Sequence, residues 1–184
     1  TRIRNAFIPP TALRLMKAAG VTFPEGTLRS VISGGETLGA DVLEWGRESL
    51  GVTISEMYGQ TEANLLVGNA PTLFPPRPGS MGRPYPGHDV AVIDDDDNDV
   101  EAGGDGEIAL RLPDPVAFLG YFRAPEATAE KTRGGWLRTS VSPRRDEVGY
   151  LRFLGRAHDL LIRPGHHTTR PAVPPSPPLQ PALT

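Results

Sequence analysis

The 184-residue sequence has no cysteine, no apolar run long enough to span a bilayer and no excess of positive charge. Without cysteine there is no disulfide framework, thiolate zinc site, iron–sulfur cluster or cysteine nucleophile. A membrane-spanning helix needs roughly 18 or more consecutive apolar residues, and none occur together here. Nineteen basic against 22 acidic side chains leave a net charge of −3, which supplies no field for nucleic-acid phosphates or anionic lipid. The reading that survives is a cytoplasmic protein with neither nucleic acid nor membrane as partner. Thr1 is preceded by no Met and followed by no charged-then-apolar leader, so a start inside a longer protein is expected.

Proline, by contrast, is abundant and uneven. The chain carries 20, about twice the usual ~5%. Residues 164–184 hold seven of them, while the first 163 hold thirteen together with twenty of the 21 glycines. The body is therefore punctuated by turns. The tail has no period of 2 or 3.6, and its prolines deny it helix and ladder hydrogen bonds, so residues 164–184 are expected to be disordered.

Up to residue 80 the pattern alternates helix and strand. Thr11 can cap a short helix to Ala18, with Leu13, Leu15 and Met16 apolar and Gly20 placed to end it. Leu28 to Ser33 is an apolar run closed by Gly34 and Gly35, as in a buried strand. Ala40 to Leu50 reads as a helix that turns Val42, Leu43 and Leu50 inward, and Val52 to Met57 as a strand ending at Tyr58 and Gly59. Strand, helix, strand within about 30 residues is a βαβ unit, whose ligands sit at the carboxyl ends of its parallel strands. From Gly79, short extended segments alternate with turns: Asp89–Ile93, Glu107–Leu112, Phe118–Phe122, Trp136–Thr139 and Gly149–Leu154. That spacing suits a small antiparallel barrel or sheet, of which the β-barrel is the expectation carried forward. The expected class is thus α/β, with a partial α/β region over 1–80, a small barrel over 81–155 and the tail over 164–184. Asp94 to Asp99 approaches a calcium-loop pattern, but Asp99 stands where Gly is needed and Asp105 where Glu is needed, so a solvated hairpin tip is expected.

One segment carries chemistry of its own. Glu56-Met57-Tyr58-Gly59-Gln60-Thr61-Glu62 lies at the carboxyl end of the second strand. Tyr offers a flat apolar face for a purine, Gly a close backbone approach, Thr a hydroxyl for a phosphate oxygen, and Glu a carboxylate for Mg²⁺. By itself such a segment is more often an edge packing site, and Gly34-Gly35 is as readily a strand-to-helix turn.

In order along the chain stand Ser33-Gly34-Gly35-Glu36, Met57 to Glu62, Gly79-Ser80-Met81-Gly82-Arg83-Pro84, Gly106-Glu107-Ile108 and Gly120-Tyr121. They are followed by Gly135-Trp136-Leu137-Arg138-Thr139, Asp146 with Gly149-Tyr150, and Gly155-Arg156. From about residue 5 to about 163 this series resembles the AMP-forming (adenylate-forming) acyl-CoA synthetases, most of all the acetyl- and medium-chain members. The resemblance implies an acid–thiol ligase with ATP, Mg²⁺ and coenzyme A as cofactor and substrates and a small-molecule carboxylate, such as a fatty acid, as the other substrate. It places Gly34, Gly35 and Glu36 along one side of the adenine and Tyr58 on its other face. Glu56, Met57, Gly59 and Gln60 fall in the same nucleotide-binding segment. Thr61 matches the phosphate-contacting hydroxyl and Glu62 the magnesium carboxylate, both taken as catalytic, and Arg156 matches a ribose-contacting arginine. Phosphoryl chemistry needs positioning and charge neutralisation, which these groups supply.

The sequence also departs from that pattern. Nothing in residues 1–33 resembles the family's Ser/Thr/Gly-rich phosphate loop. Its Thr-Gly-Asp, whose carboxylate binds the ribose hydroxyls, reads Thr139-Ser140-Val141; losing a charged acceptor costs on the order of 1.5 to 3 kcal/mol. Residues 156–163 are a hinge remnant in which His158 replaces an acid and Asp159 is kept. The Lys-bearing C-terminal domain has no counterpart before the Pro-rich tail. An out-of-frame reading of GC-rich coding sequence would account for the tail and for the lapse at Ser140 to Pro143. A parallel sheet without its first strands leaves an apolar edge, so the isolated chain is expected to be marginally stable or prone to aggregate. The expected function is part of an acyl-CoA synthetase, inactive alone. The alternative is a noncatalytic remnant or protein-interaction fragment that uses the sheet edge and the tail. Acyl-chain length is not legible.

Overall fold

The computed structural model describes residues 3–156, 160–163 and 166–169. A short strand, β1 (Asn5–Phe7), leads into helix α1 (Pro10–Ala18). Pro9 and Pro10 start that helix, since the fixed φ of proline suits a first turn where its missing N–H is not needed. Strand β2 (Ser30–Gly34), helix α2 (Ala40–Ser49) and strand β3 (Ile54–Gln60) follow. β2 is parallel to β1 on one side and to β3 on the other, so the βαβ unit read from the sequence is present. At Thr61-Glu62 the chain reverses into β4 (Ala63–Gly68), antiparallel to β3, and β5 (Arg83–Pro84) completes a mixed sheet in the order β1-β2-β3-β4-β5.

Beyond it come β6 (Val90–Ile93), β7 (Glu107–Arg111), helix α3 (Pro125–Lys131), β8 (Trp136–Arg138), β9 (Val141–Arg145) and β10 (Leu151–Arg156). The first three of these strands form an antiparallel sheet, β6-β7-β8, while β9 and β10 pair with each other. No closed sheet forms among the described residues, which corrects the expected barrel to two small antiparallel sheets. The break lies at Ser140, whose φ of 59° turns the chain out of β8 and sends β9 to β10 instead. Ser140 to Pro143 is thus no structural lapse: Val141 and Pro143 are buried within β9. Phe118–Phe122 forms a loop rather than a strand, and α3, which buries no residue, gave no amphipathic signal to predict it.

Leu160–Arg163 (β11) and His166–Thr169 (β12) pair antiparallel. The expected disorder is thereby corrected for 166–169, a stretch between Pro164 and Pro171 that has no proline and keeps its N–H groups for a ladder. The rest of the expected tail, residues 164–165 and 170–184, lies outside the described residues, as do 157–159 of the hinge remnant. Among the described residues no helix is long and apolar enough to cross a membrane.

Two apolar cores position the site. Leu13, Val31, Val42, Leu43, Trp45 and Ile54 join α1, β2, α2 and β3 in the first. Leu66, Val67, Ile108, Leu110, Leu137 and Leu151 join β4 to the antiparallel strands in the second. β3 belongs to both, with Ile54 in one and Tyr58 packed against the other. Buried Ser80 pins β10 across the join: its hydroxyl donates to the Leu151 carbonyl at 2.9 Å and accepts from the Gly82 N–H at 3.0 Å. Backbone bonds of 2.8 Å from Met81 to Leu151 and from Leu151 to Gly82 complete the pin, which fixes the strand that ends at Arg156.

Candidate functional site

The parallel register of β2 and β3 sets Ser33 beside Glu56 and Gly34 beside Met57. Two glycines make the approach possible. A Cβ on Gly34 would stand 2.4 Å from Met57 Sδ and 2.7 Å from the Met57 carbonyl, whereas Gly35, at φ 98°, turns the chain away into open space. Side by side at the carboxyl ends of two parallel strands, these segments occupy the position where open α/β sheets take ligands. Four buried side-chain polar atoms lack a partner among the described residues, and three of them are here: Ser33 Oγ, Glu56 Oε2 and Gln60 Nε2. Buried polar atoms are ordinarily paired, so these three set the segment apart among the described residues.

Glu56 is buried, and its Oε1 accepts the Leu38 N–H at 2.9 Å. Burial nevertheless pushes its carboxyl above the ordinary range, with the Leu38 bond acting in the opposite sense. Tyr58 is half-buried, its hydroxyl 3.4 Å from Gln60 Oε1. Burial raises the Tyr58 hydroxyl too; Glu62 and Glu107 add to the rise, and Thr139 and Arg156 oppose it. Glu62, Thr139 and Arg156 are therefore all neighbours of one phenol, although 17 to 94 residues separate them from one another in the sequence.

The strand read as ending at Met57 runs on to Gln60, with a bulge between Tyr58 and Gln60. Gly59 permits it, because a Cβ there would lie 2.6 Å from the Leu65 amide nitrogen. Thr61 and Glu62 form the tip of the β3–β4 turn, Thr61 exposed and Glu62 half-buried. Glu62 Oε1 accepts the Tyr121 hydroxyl at 2.5 Å, and that bond, more than burial, pushes Tyr121 up to about 12. Hydroxyl and carboxylate oxygens at the turn are hard donors, the type that suits magnesium, so this tip fits such an ion.

Not every expected residue joins the group. The Glu36 carboxylate is engaged by Arg14 of α1 at 2.8 Å on the exposed surface. Val141 is buried among apolar neighbours. Thr139, which does neighbour Tyr58, donates its hydroxyl to the Ile108 carbonyl at 2.7 Å. Next to this segment a cavity of about 700 Å³ is lined in part by Tyr121, Lys131, Arg138, Ser140 and Glu107. Buried Arg138 donates to Glu107 at 2.5 Å and also to Asp97, while the other Glu107 oxygen accepts the Ser140 N–H at 2.8 Å. Sequence reasoning assigned no role to Tyr121, Glu107 or Arg138. All three lie within the ordered motifs, which was the one available signal.

The family described as AMP-binding enzyme matches residues 2–122. The chain belongs to that family. Over 159 residues it is 38% identical to an uncharacterized acyl-CoA ligase, YtcI, of Bacillus subtilis, covering 85% of this chain and 30% of that protein. It is 37% identical to 4-hydroxybutyrate–CoA ligase 1 of Metallosphaera sedula over 83% of this chain and 28% of that one. Among solved structures, O-succinylbenzoate coenzyme A synthetase of Bacillus subtilis, in complex with ATP and magnesium ion, superposes with a TM-score of 0.78 at 26% identity, covering 91% of this chain and 34% of that one. ATP-bound MatB of Rhodopseudomonas palustris gives 0.77 at 31% identity, with the same coverage of 91% and 34%. The chain thus spans about 30% of the length of the curated relatives it matches. The mixed α/β architecture with a parallel-containing sheet and separate antiparallel sheets is that of the family's N-terminal domain.

Proposed function

We propose that this chain forms part of the nucleotide and acyl site of an AMP-forming acyl-CoA synthetase. Such an enzyme joins a carboxylate to the α-phosphate of ATP, releasing pyrophosphate, and then passes the acyl group to the thiol of coenzyme A, releasing AMP. The observation that carries the reading is the register that sets Gly34-Gly35 against Met57 to Glu62, with three buried polar atoms there lacking a protein partner. Relatives named acyl-CoA ligases and neighbours solved with ATP support it. Gly34 and Gly35 give the adenine a close backbone edge, and Tyr58 gives it an aromatic face. The Thr61 hydroxyl meets a phosphate oxygen, and Arg156 meets the ribose. Magnesium held by Glu62 would neutralise phosphate charge.

The chain has two lysines: Lys17 pairs with Asp41 on the surface, and Lys131 donates to the Ser140 hydroxyl at 3.2 Å. A stable acyl-adenylate analogue titrated into the isotope-labelled full chain should shift the amides of Gly35, Tyr58 and Thr61. Tyr58→Ala should weaken that binding about tenfold, the scale of one base–aromatic stack. Shifts confined to other regions, or an unchanged Tyr58→Ala affinity, would overturn the reading. ATP–pyrophosphate exchange is expected to be absent for this chain alone.

A noncatalytic role is favoured by one observation, Thr139-Ser140-Val141. With Val141 in the core and Ser140 held in a left-handed conformation, that segment presents no carboxylate to a ribose.

A further inference from the structure

We propose that Tyr121 is a positioning residue that holds the Glu62 carboxylate so that a single oxygen faces a divalent cation, and so selects a small octahedral ion over a larger one. The inference rests on the reading of Glu62 as the magnesium carboxylate. The loop before α3 grips Glu62 at both backbone and side chain. The Phe118 N–H donates to the Glu62 carbonyl at 2.8 Å, and the Asn64 N–H donates to the Val116 carbonyl at 3.2 Å. The Tyr121 hydroxyl then closes on Glu62 Oε1 at 2.5 Å.

Tyr121 is itself held in place. Its ring meets Phe118 edge-on with centroids 4.9 Å apart. Its N–H donates to Thr128 Oγ1 at 2.9 Å, and that hydroxyl donates to the Ala124 carbonyl at the start of α3, also at 2.9 Å. The phenol takes one lone pair of Oε1 and fixes the plane of the carboxylate, which leaves Oε2 as the oxygen with both lone pairs free. Calcium readily takes a carboxylate through both oxygens, whereas magnesium keeps a tight octahedron that suits one. Outer partners that orient a ligating carboxylate typically change metal affinity 10- to 100-fold when removed.

The test uses the full chain, with Mn²⁺ as the paramagnetic probe and Mg²⁺ or Ca²⁺ as competitors. In the parent chain Mn²⁺ should broaden the amides of Ala63 and Phe118, and Mg²⁺ should displace it at lower concentration than Ca²⁺. Y121F, which keeps the ring packing, should need about tenfold more Mn²⁺ and should lose the preference for Mg²⁺ over Ca²⁺. E62Q should abolish the local broadening in either background. If E62Q leaves the broadening intact, or the parent chain shows none, the reading of Glu62 falls and this inference with it. If E62Q abolishes it but Y121F behaves as the parent, or weakens Mn²⁺ with the Mg²⁺ preference unchanged, the positioning role alone is overturned. Should Y121F lose its dispersed spectrum, the parent chain alone tests the role, and displacement of Mn²⁺ by Mg²⁺ and Ca²⁺ at equal concentrations would overturn it.

Discussion

Glu56 shows how much the fold concedes to the site. Its side chain is buried with one oxygen bonded to the Leu38 N–H and the other unpaired. Burial raises its carboxyl against the opposing pull of that bond, so the folded state binds a proton more tightly than the unfolded chain does. Stability from this group is fully present below the unfolded carboxyl range and is lost as pH rises through the raised value. Glu56→Gln keeps an acceptor for Leu38 without the charge. Its melting temperature should therefore exceed that of the parent at pH 7 and converge with it toward pH 4, as followed by circular dichroism. Ser140 is a second concession, because a non-glycine residue at φ 59° costs roughly 1–2 kcal/mol. Its N–H bond to Glu107 and its hydroxyl bond from Lys131 offset part of that.

At the scale of elements, the edge strand β1 and the β3–β4 turn behave differently. Among the described residues β1 pairs only with β2, and Ile3, Phe7 and Leu15 of α1 are exposed. An exposed apolar edge is a template for strand addition. Phe7→Lys should reduce concentration-dependent light scattering with little change in melting temperature, since Phe7 contributes little to the core; scattering equal to that of the parent would show that association runs through another surface. The β3–β4 turn is gripped from outside by the 116–121 loop. No local pattern at Thr61-Glu62 announces that grip, because the partner lies more than 50 residues away.

Across the whole molecule, β3 is shared between the two cores, so they should unfold together. Each Trp reports on one side: Trp45 in the first core, and Trp136 beside Ile93 and Ala109 in the β6-β7-β8 sheet. Single-Trp variants (Trp45→Phe or Trp136→Phe) should give coincident urea midpoints, and Leu110→Ala, at a fully buried position, should lower both midpoints together through a loss of about 3 kcal/mol in unfolding free energy. Separate midpoints would mean that β3 does not couple them. The βαβ unit was legible because α2 and β2 carry their periodicity locally, with Val42 and Leu43 turned inward from the helix and Val31 in an apolar run. The nucleotide segment was legible because its residues are contiguous. The barrel was misread because strand spacing encodes lengths, not closure, and one left-handed residue at Ser140 decides where β9 pairs. Local chemistry in the sequence therefore determined the βαβ elements, the family motifs and the candidates at Gly34-Gly35 and Glu56 to Glu62. Only the tertiary structure decided that Glu36 goes to Arg14, that Val141 goes to the core and that Tyr121 goes to Glu62. Those outcomes depend on packing and hydrogen bonds between segments far apart in the chain, which no local window contains.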